Sequence, residues 1–402
     1  MRAYLTILRL PGALAFCAAG LLARAGGAMV GIGVVLMVQA LYGSYGLAGA
    51  VAAVNAAGWA IGAAYLANLV DRLGQRRVML PAAIASGTTL VLLVVVAALH
   101  APAWVLFVPS AISGLTAGSA GGMVRARWNH LLEDSHQLHA AFSLESTLDE
   151  VTYIVGPVAA TALATAVFPE SGLLVAAFTT IVGAFAFYSL RATEPPPHPV
   201  MKSPQREKGR LLLAQPGFAP VVGVALTMGM AFGSIDVTTV AANEAWGMKW
   251  AAGPVLAVMS LGSGLTGLAY GSRRWTTPLA NRLLISVILF GIGASTFLFA
   301  GSPLILGVCG FLAGMAVAPT LINANSLVQR LVPEERLTEG LAWVGTAIGL
   351  GVSVGSTVAG HMIDVFGYRA GFLTVNAVAV CAIVLVVGTV RAIRRHAAAT
   401  AD

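Results

Sequence analysis

Long apolar runs, separated by short polar breaks, occupy almost the entire chain. Twelve runs, at 11–38, 46–70, 77–99, 104–124, 141–166, 172–191, 217–241, 251–271, 282–300, 303–327, 338–363 and 369–391, predict helices. Each is long enough to cross the ~30 Å of hydrocarbon in a bilayer. Barrel strands would read instead as ~10-residue segments of alternating polarity. The pattern predicts an all-α membrane protein with twelve transmembrane helices. The first run is too long for a signal-peptide core and carries Arg24 near its middle, so it predicts a span.

Composition agrees. Charged residues make up 10% of the 402, against roughly a quarter in soluble domains. Where the charges fall sets the orientation. With a cytoplasmic N-terminus, 20 of the 23 Lys and Arg fall on the cytoplasmic side of the twelve runs. Only Arg24, Lys249 and Arg369 do not, and the bias predicts both termini inside. The net charge of +7 then reads as a stripe against anionic lipid and not as a nucleic-acid surface. Arginine far outnumbers lysine, and with abundant Ala and Gly this points to a GC-rich bacterial source, so the membrane expected is the bacterial inner (cytoplasmic) one.

The longest polar stretch, 192–216, is proline-rich and lies halfway along the chain. Its composition argues for a cytoplasmic linker between an N-terminal bundle, 1–191, and a C-terminal bundle, 217–402. The halves are weakly alike at an offset of 199 positions: Leu138–Glu145 resembles Leu337–Val344, and Gly156 and Ala160 fall on Gly355 and Ala359. Arg76–Arg77 finds an echo in Arg273–Arg274 after a two-residue slip, but Tyr270 stands where the acid would be. These matches predict two pseudo-symmetric six-helix bundles.

The most charged short break is 67–80. Leu69, Asp71, Arg72, Gly74, Arg76 and Arg77 match the loop 2–3 signature Gly-x-Leu-x-Asp-Arg-x-Gly-x-Arg-Arg, with Ala67 for the first glycine. The chain thus resembles the major facilitator superfamily (MFS). Gly156-Pro157 resembles the core of the antiporter motif of drug-efflux members, although Ala160 and Thr161 stand where glycines are expected. The resemblance implies the MFS fold, with Asp71 as a conformational latch onto the start of the eleventh helix. It also implies a cavity for which Asn55, Trp59, Tyr153, Asp236, Asn323 and Trp343 are candidate lining residues. Asp236, near the outer end of its helix, reads equally as an external gate or an interfacial acid.

Arg24 is the costliest residue, because a mid-membrane arginine is penalised by ~3 kcal/mol or more unless paired or wetted. Depth along the helices predicts a pair with Glu150 or Asp149, and Glu145 reads as an interfacial charge. A carboxylate there, paired in only one state, would be a proton-coupling site.

Gly114, Gly118 and Gly122, and likewise Gly351, Gly355 and Ala359, predict faces of close helix approach. No phosphate-binding loop and no metal-ligand spacing occurs, so no cofactor and no enzyme activity are expected. The expected protein is a monomeric secondary transporter working by alternating access. Its favoured activity is proton-coupled efflux of a lipophilic drug-like compound or secondary metabolite. A proton-coupled importer and a non-transporting membrane sensor are the alternatives.

Overall fold

A computed structural model describes residues 6–197, 212, 217–273, 275–332 and 336–399. The described residues are helical and contain no strand. In chain order the helices are α1 (Ala13–Tyr42), α2 (Tyr45–Leu73), α3 (Gln75–Ala98), α4 (Phe107–Ala117), α5 (Ala120–Leu131), α6 (Ser135–Ala166) and α7 (Ser171–Ser189). After the central stretch come α8 (Phe218–Ala245), α9 (Ala252–Ser272), α10 (Leu279–Ser295), α11 (Pro303–Leu331), α12 (Leu337–Phe366) and α13 (Tyr368–Ala399). Eleven stretches among them are long and apolar enough to span a membrane, α4 and α5 together supplying one. The helix outside that set is α6: at 32 residues it is long enough, but Glu145, Asp149 and Glu150 dilute its apolar character.

Two compact units emerge. One comprises residues 1–41 and 58–203, the other 42–57 and 204–402. The long helix α2 is thus divided, its first turns belonging to the second unit. Most of the central linker, residues 198–211 and 213–216, lies outside the described residues; a 3₁₀ turn, Arg191–Thr193, leads into it.

Within each unit, glycines set the closest helix approaches. In the first unit a Cβ on Gly156 would lie 2.7 Å from the Cβ of Ala28, so α6 runs backbone-close to α1. In the second, a Cβ on Gly355 would lie 2.0 Å from the carbonyl oxygen of Met230, so α12 runs equally close to α8. These two glycines match at the 199-residue offset, and each marks the same helix pairing in its own unit. Gly351 adds to the α8–α12 seam, and Ser234 donates to the Gly355 carbonyl at 3.1 Å.

The fourth expected span, 104–124, departs from the expectation. Gly114 does pack closely, against Gly58 of α2. Gly118, however, adopts φ +63° and breaks the helix into α4 and α5. Ser119 caps the new N-terminus, its Oγ accepting from the Gly122 N–H at 3.3 Å. The Trp59 indole N–H donates to the carbonyl of Gly118 at 2.8 Å, which satisfies an acceptor the break exposes. Gly122 therefore serves the cap of α5 and not a helix–helix face.

In the second unit, the start of α2 is bound to the end of α12. The Asp364 carboxylate accepts from the N–H groups of Tyr45 and Gly46, at 2.8 and 2.7 Å, and from Ser44 Oγ at 2.7 Å. A carboxylate there meets the orphan donors and the positive end of the helix dipole.

Candidate functional site

Buried charges in the first unit converge on α1, α5 and α6. Glu145 and Asp149 lie four residues apart on α6 and so project from one face. Both grip Arg24 of α1: Nη2 donates to Glu145 Oε2 at 2.7 Å and Nη1 to Asp149 Oδ1 at 2.8 Å. Arg24 Nε donates to the Gly20 carbonyl at 3.1 Å. Asp149 Oδ2 accepts from Arg125 of α5 at 2.8 Å. The other oxygen of Glu145 accepts from the Trp128 indole at 2.9 Å and from the Cys17 thiol at 3.0 Å. Two arginines and two carboxylates thus form a closed, charge-balanced set. Glu145 is wholly buried and the Arg24 side chain retains 8% exposure, whereas Asp149 and Arg125 keep 27% and 32%. The break at Gly118 helps to build this set, because it brings the first turn of α5 alongside; Gly121 sits against Arg24, Arg125 and Asp149.

Of the two expected partners of Arg24, the structure contains Asp149. Glu150 does not reach it. It is part-buried and makes no hydrogen bond or ion pair among the described residues. Glu145, expected at the interface, is instead the most buried member. The reason is angular: one residue along a helix rotates a side chain by about 100°, so equal depth does not place Glu150 on the face of Asp149. In addition α6 begins at Ser135 rather than 141, which sets Glu145 about 9 Å deeper than a start at 141 implies.

A second polar cluster supports the 67–80 motif. Gly74, at φ +91°, makes the turn between α2 and α3. Asp71, Arg72 and Arg77 are exposed, Leu69 packs against the apolar core, and Asp71 has no hydrogen bond or ion pair among the described residues. Arg76 and Arg77 open α3, where a basic first turn opposes the helix dipole. Glu194 offsets this by accepting from the Arg76 N–H at 2.9 Å. Next to Gly74, Gln75 is buried and bridges the Met123 carbonyl (3.1 Å) and Arg127 Nε (3.0 Å). Arg127 is wholly buried; it also donates to the Leu190 carbonyl and Thr193 Oγ1 and lies 3.9 Å over the Phe187 ring. Residues 333–335, the side chains of 337–339, and Arg274 lie outside the described residues, which covers the expected latch partner and half of the arginine echo.

Sequence reasoning misses Gln75, Arg127 and Glu194. It counts Arg125 and Arg127 as cytoplasmic surface charge, but the one is paired with an acid and the other is internal. A signal is available: both arginines sit on a helix with Trp128 and Met123, not in a loop.

The cavity candidates differ in exposure. Trp59 and Tyr153 are exposed, Asn55 and Trp343 are part-buried, and Asn323 is buried, accepting from the Tyr270 hydroxyl at 3.0 Å. Asp236 is part-buried within α8 and has no hydrogen bond or ion pair among the described residues. A cleft of about 440 Å³ lies on α9, α10 and α11, and none of the six candidates lines it. Gly156 and Pro157 lie inside α6, and Gly156 faces α1 at Ala28.

The family model described as Major Facilitator Superfamily matches residues 16–283 and 279–401. The chain belongs to the Major Facilitator Superfamily. MFS membership makes it a multi-pass membrane protein and a secondary transporter of small molecules. Solved MFS-type structures share its fold. The nucleoside transporter NupG aligns at a TM-score of 0.71 and 14% identity, covering 95% of this chain and 99% of that one. A point mutant of NupG aligns at 0.72 and 13%, covering 93% and 99%. The peptide transporter POT, in complex with sulfate, aligns at 0.71 and 14%, covering 97% and 95%. No curated sequence matches the chain.

Proposed function

We propose that this MFS protein exports a small, largely apolar molecule in exchange for protons, with Asp236 and Glu150 as the proton carriers. One observation carries the reading. The charges of α1, α5 and α6 at Arg24, Arg125, Glu145 and Asp149 neutralise one another, while Asp236 and Glu150 have no partner among the described residues. A carboxylate held by two arginines gains little from a proton, and an unpaired one in a dry setting gains much. Asp149 and Arg24 are therefore the fixed frame. The apolar character of the helices supports a lipophilic solute over one needing many hydrogen-bond partners. Gly156-Pro157, with Gly156 packed against α1, supports the export direction through its likeness to the antiporter motif.

In this reading α6 is the twelfth span, both termini are cytoplasmic, and a monomer sits in a bacterial inner membrane. Residues 1–191 and 217–402 form the two bundles and 192–216 joins them. Asp71, exposed at the end of α2, latches onto the start of α12 when the cytoplasmic side closes. Proton-coupled import is the second reading, favoured by the similarity to structures named as nucleoside and peptide transporters.

Everted vesicles with an imposed pH gradient separate the readings. Export predicts accumulation of a lipophilic cation such as ethidium with the interior acid. Import predicts that solute moves only under the opposite gradient, and a sensor moves nothing.

A further inference from the structure

The cleft on α9, α10 and α11 has one apolar wall and one cationic end. Ile285, Leu289 and Ile292 of α10 and Leu312 of α11 line it and are about half exposed, so it opens sideways to hydrocarbon. At one end Arg282 lines the cleft. Its Nε is buried without a hydrogen-bond partner, and the side chain has no ion pair among the described residues. Trp275 stands beside it, its ring 5.9 Å from the Arg282 guanidinium carbon and 5.1 Å from that of Arg273. The Trp275 indole N–H donates to the Tyr270 carbonyl at 3.0 Å, which holds the ring in place.

We infer that this cleft seats an anionic phospholipid, with its phosphate on Arg282 and one acyl chain along α10. Three features select that occupant. The Nη edge of Arg282, which has no ion pair among the described residues, offers the two N–H groups that a phosphate oxygen pair accepts. Tryptophan and arginine together mark the membrane–water boundary, where a headgroup lies. From Arg282 to Thr296, which also lines the cleft, α10 rises about 21 Å, more than the ~15 Å an acyl chain needs to reach the bilayer midplane. A sterol or a neutral solute would leave the guanidinium unmatched, and a free phosphate would leave the apolar wall empty.

The test is native mass spectrometry of the full-length protein released from detergent with added phosphatidylglycerol or phosphatidylcholine. Wild type is expected to retain phosphatidylglycerol in preference to phosphatidylcholine. Arg282→Gln should weaken phosphatidylglycerol retention by about tenfold, the loss expected of one charge-assisted contact. Leu289→Trp, which fills the apolar wall and keeps the arginine, should weaken both lipids. Size-exclusion elution checks that each variant is folded, and Arg282→Lys, which keeps the charge but loses the fork, should fall between wild type and Arg282→Gln. Equal retention of both lipids by wild type, or undiminished phosphatidylglycerol on both Arg282→Gln and Leu289→Trp, would overturn the assignment. So would a dimer mass that persists regardless of lipid, which would mean that a second copy covers the cleft.

Discussion

Glu145 and Asp149, one helical turn apart on α6, hold the same guanidinium, that of Arg24, at 2.7 and 2.8 Å. Removing one partner of a buried pair leaves an uncompensated charge, which costs about 3–5 kcal/mol. Glu145→Gln is therefore expected to lower the melting temperature of the purified protein sharply. Because the penalty is a stranded charge, Arg24→Met combined with Glu145→Gln should be more stable than Glu145→Gln alone. A thermal-shift double-mutant cycle checks this.

Gly118 is the hinge of the broken fourth span. An L side chain at φ +63°, ψ −158° would sit in a region essentially reserved for glycine, at a cost of about 1–3 kcal/mol. A Cβ there would also lie 2.3 Å from Met79 Cε. Gly118→Ala should destabilise the protein by more than the backbone term alone. Gly114→Ala, on the regular helix before the break, carries no such φ penalty. A thermal-shift comparison should show the larger loss for Gly118→Ala.

Arg127 joins three segments through Gln75, Leu190 and Thr193. Arg127→Met strands the buried Gln75 carbonyl oxygen and loosens the turn at Arg191–Thr193, at a cost of about 1–3 kcal/mol. Limited trypsin digestion should then cut faster at Arg191 than in wild type. Arg125→Met should leave that cleavage unchanged, because Arg125 belongs to the other cluster.

The helices are legible because lipid demands long apolar runs with internally satisfied backbones. Legibility fails where charge enters the membrane. Polar Ser135, His136, Gln137 and His139 hide the first turns of α6, and Gly118 resembles a packing glycine because spacing carries no φ. Arg24 announces that it needs an acid, and rise per residue gives the depth. Rise carries no information on which face a residue occupies, so Glu145 and Glu150 exchange roles. Arg127 is invisible for another reason: the positive-inside rule counts arginines without asking whether each reaches water. Glu194, which reads as linker, closes α3 across more than a hundred residues of sequence, a relation that local pattern does not record.

Asp71 is exposed at the end of α2, so its substitution should not disturb folding. Asp71→Asn is expected to reduce transport while leaving membrane insertion and melting temperature near wild type. Normal transport would assign the 67–80 loop to topology alone.

The central claim is that the Arg24 network is a fixed frame and that Asp236 and Glu150 carry the proton. Gradient-driven ethidium accumulation in everted vesicles tests it most directly, with wild type, Asp236→Asn and Glu150→Gln compared at equal expression. Wild type should accumulate the dye with an acid interior. The two variants should lose gradient-driven accumulation yet still exchange dye across the membrane without a gradient. Full accumulation by Asp236→Asn and Glu150→Gln together would contradict the account.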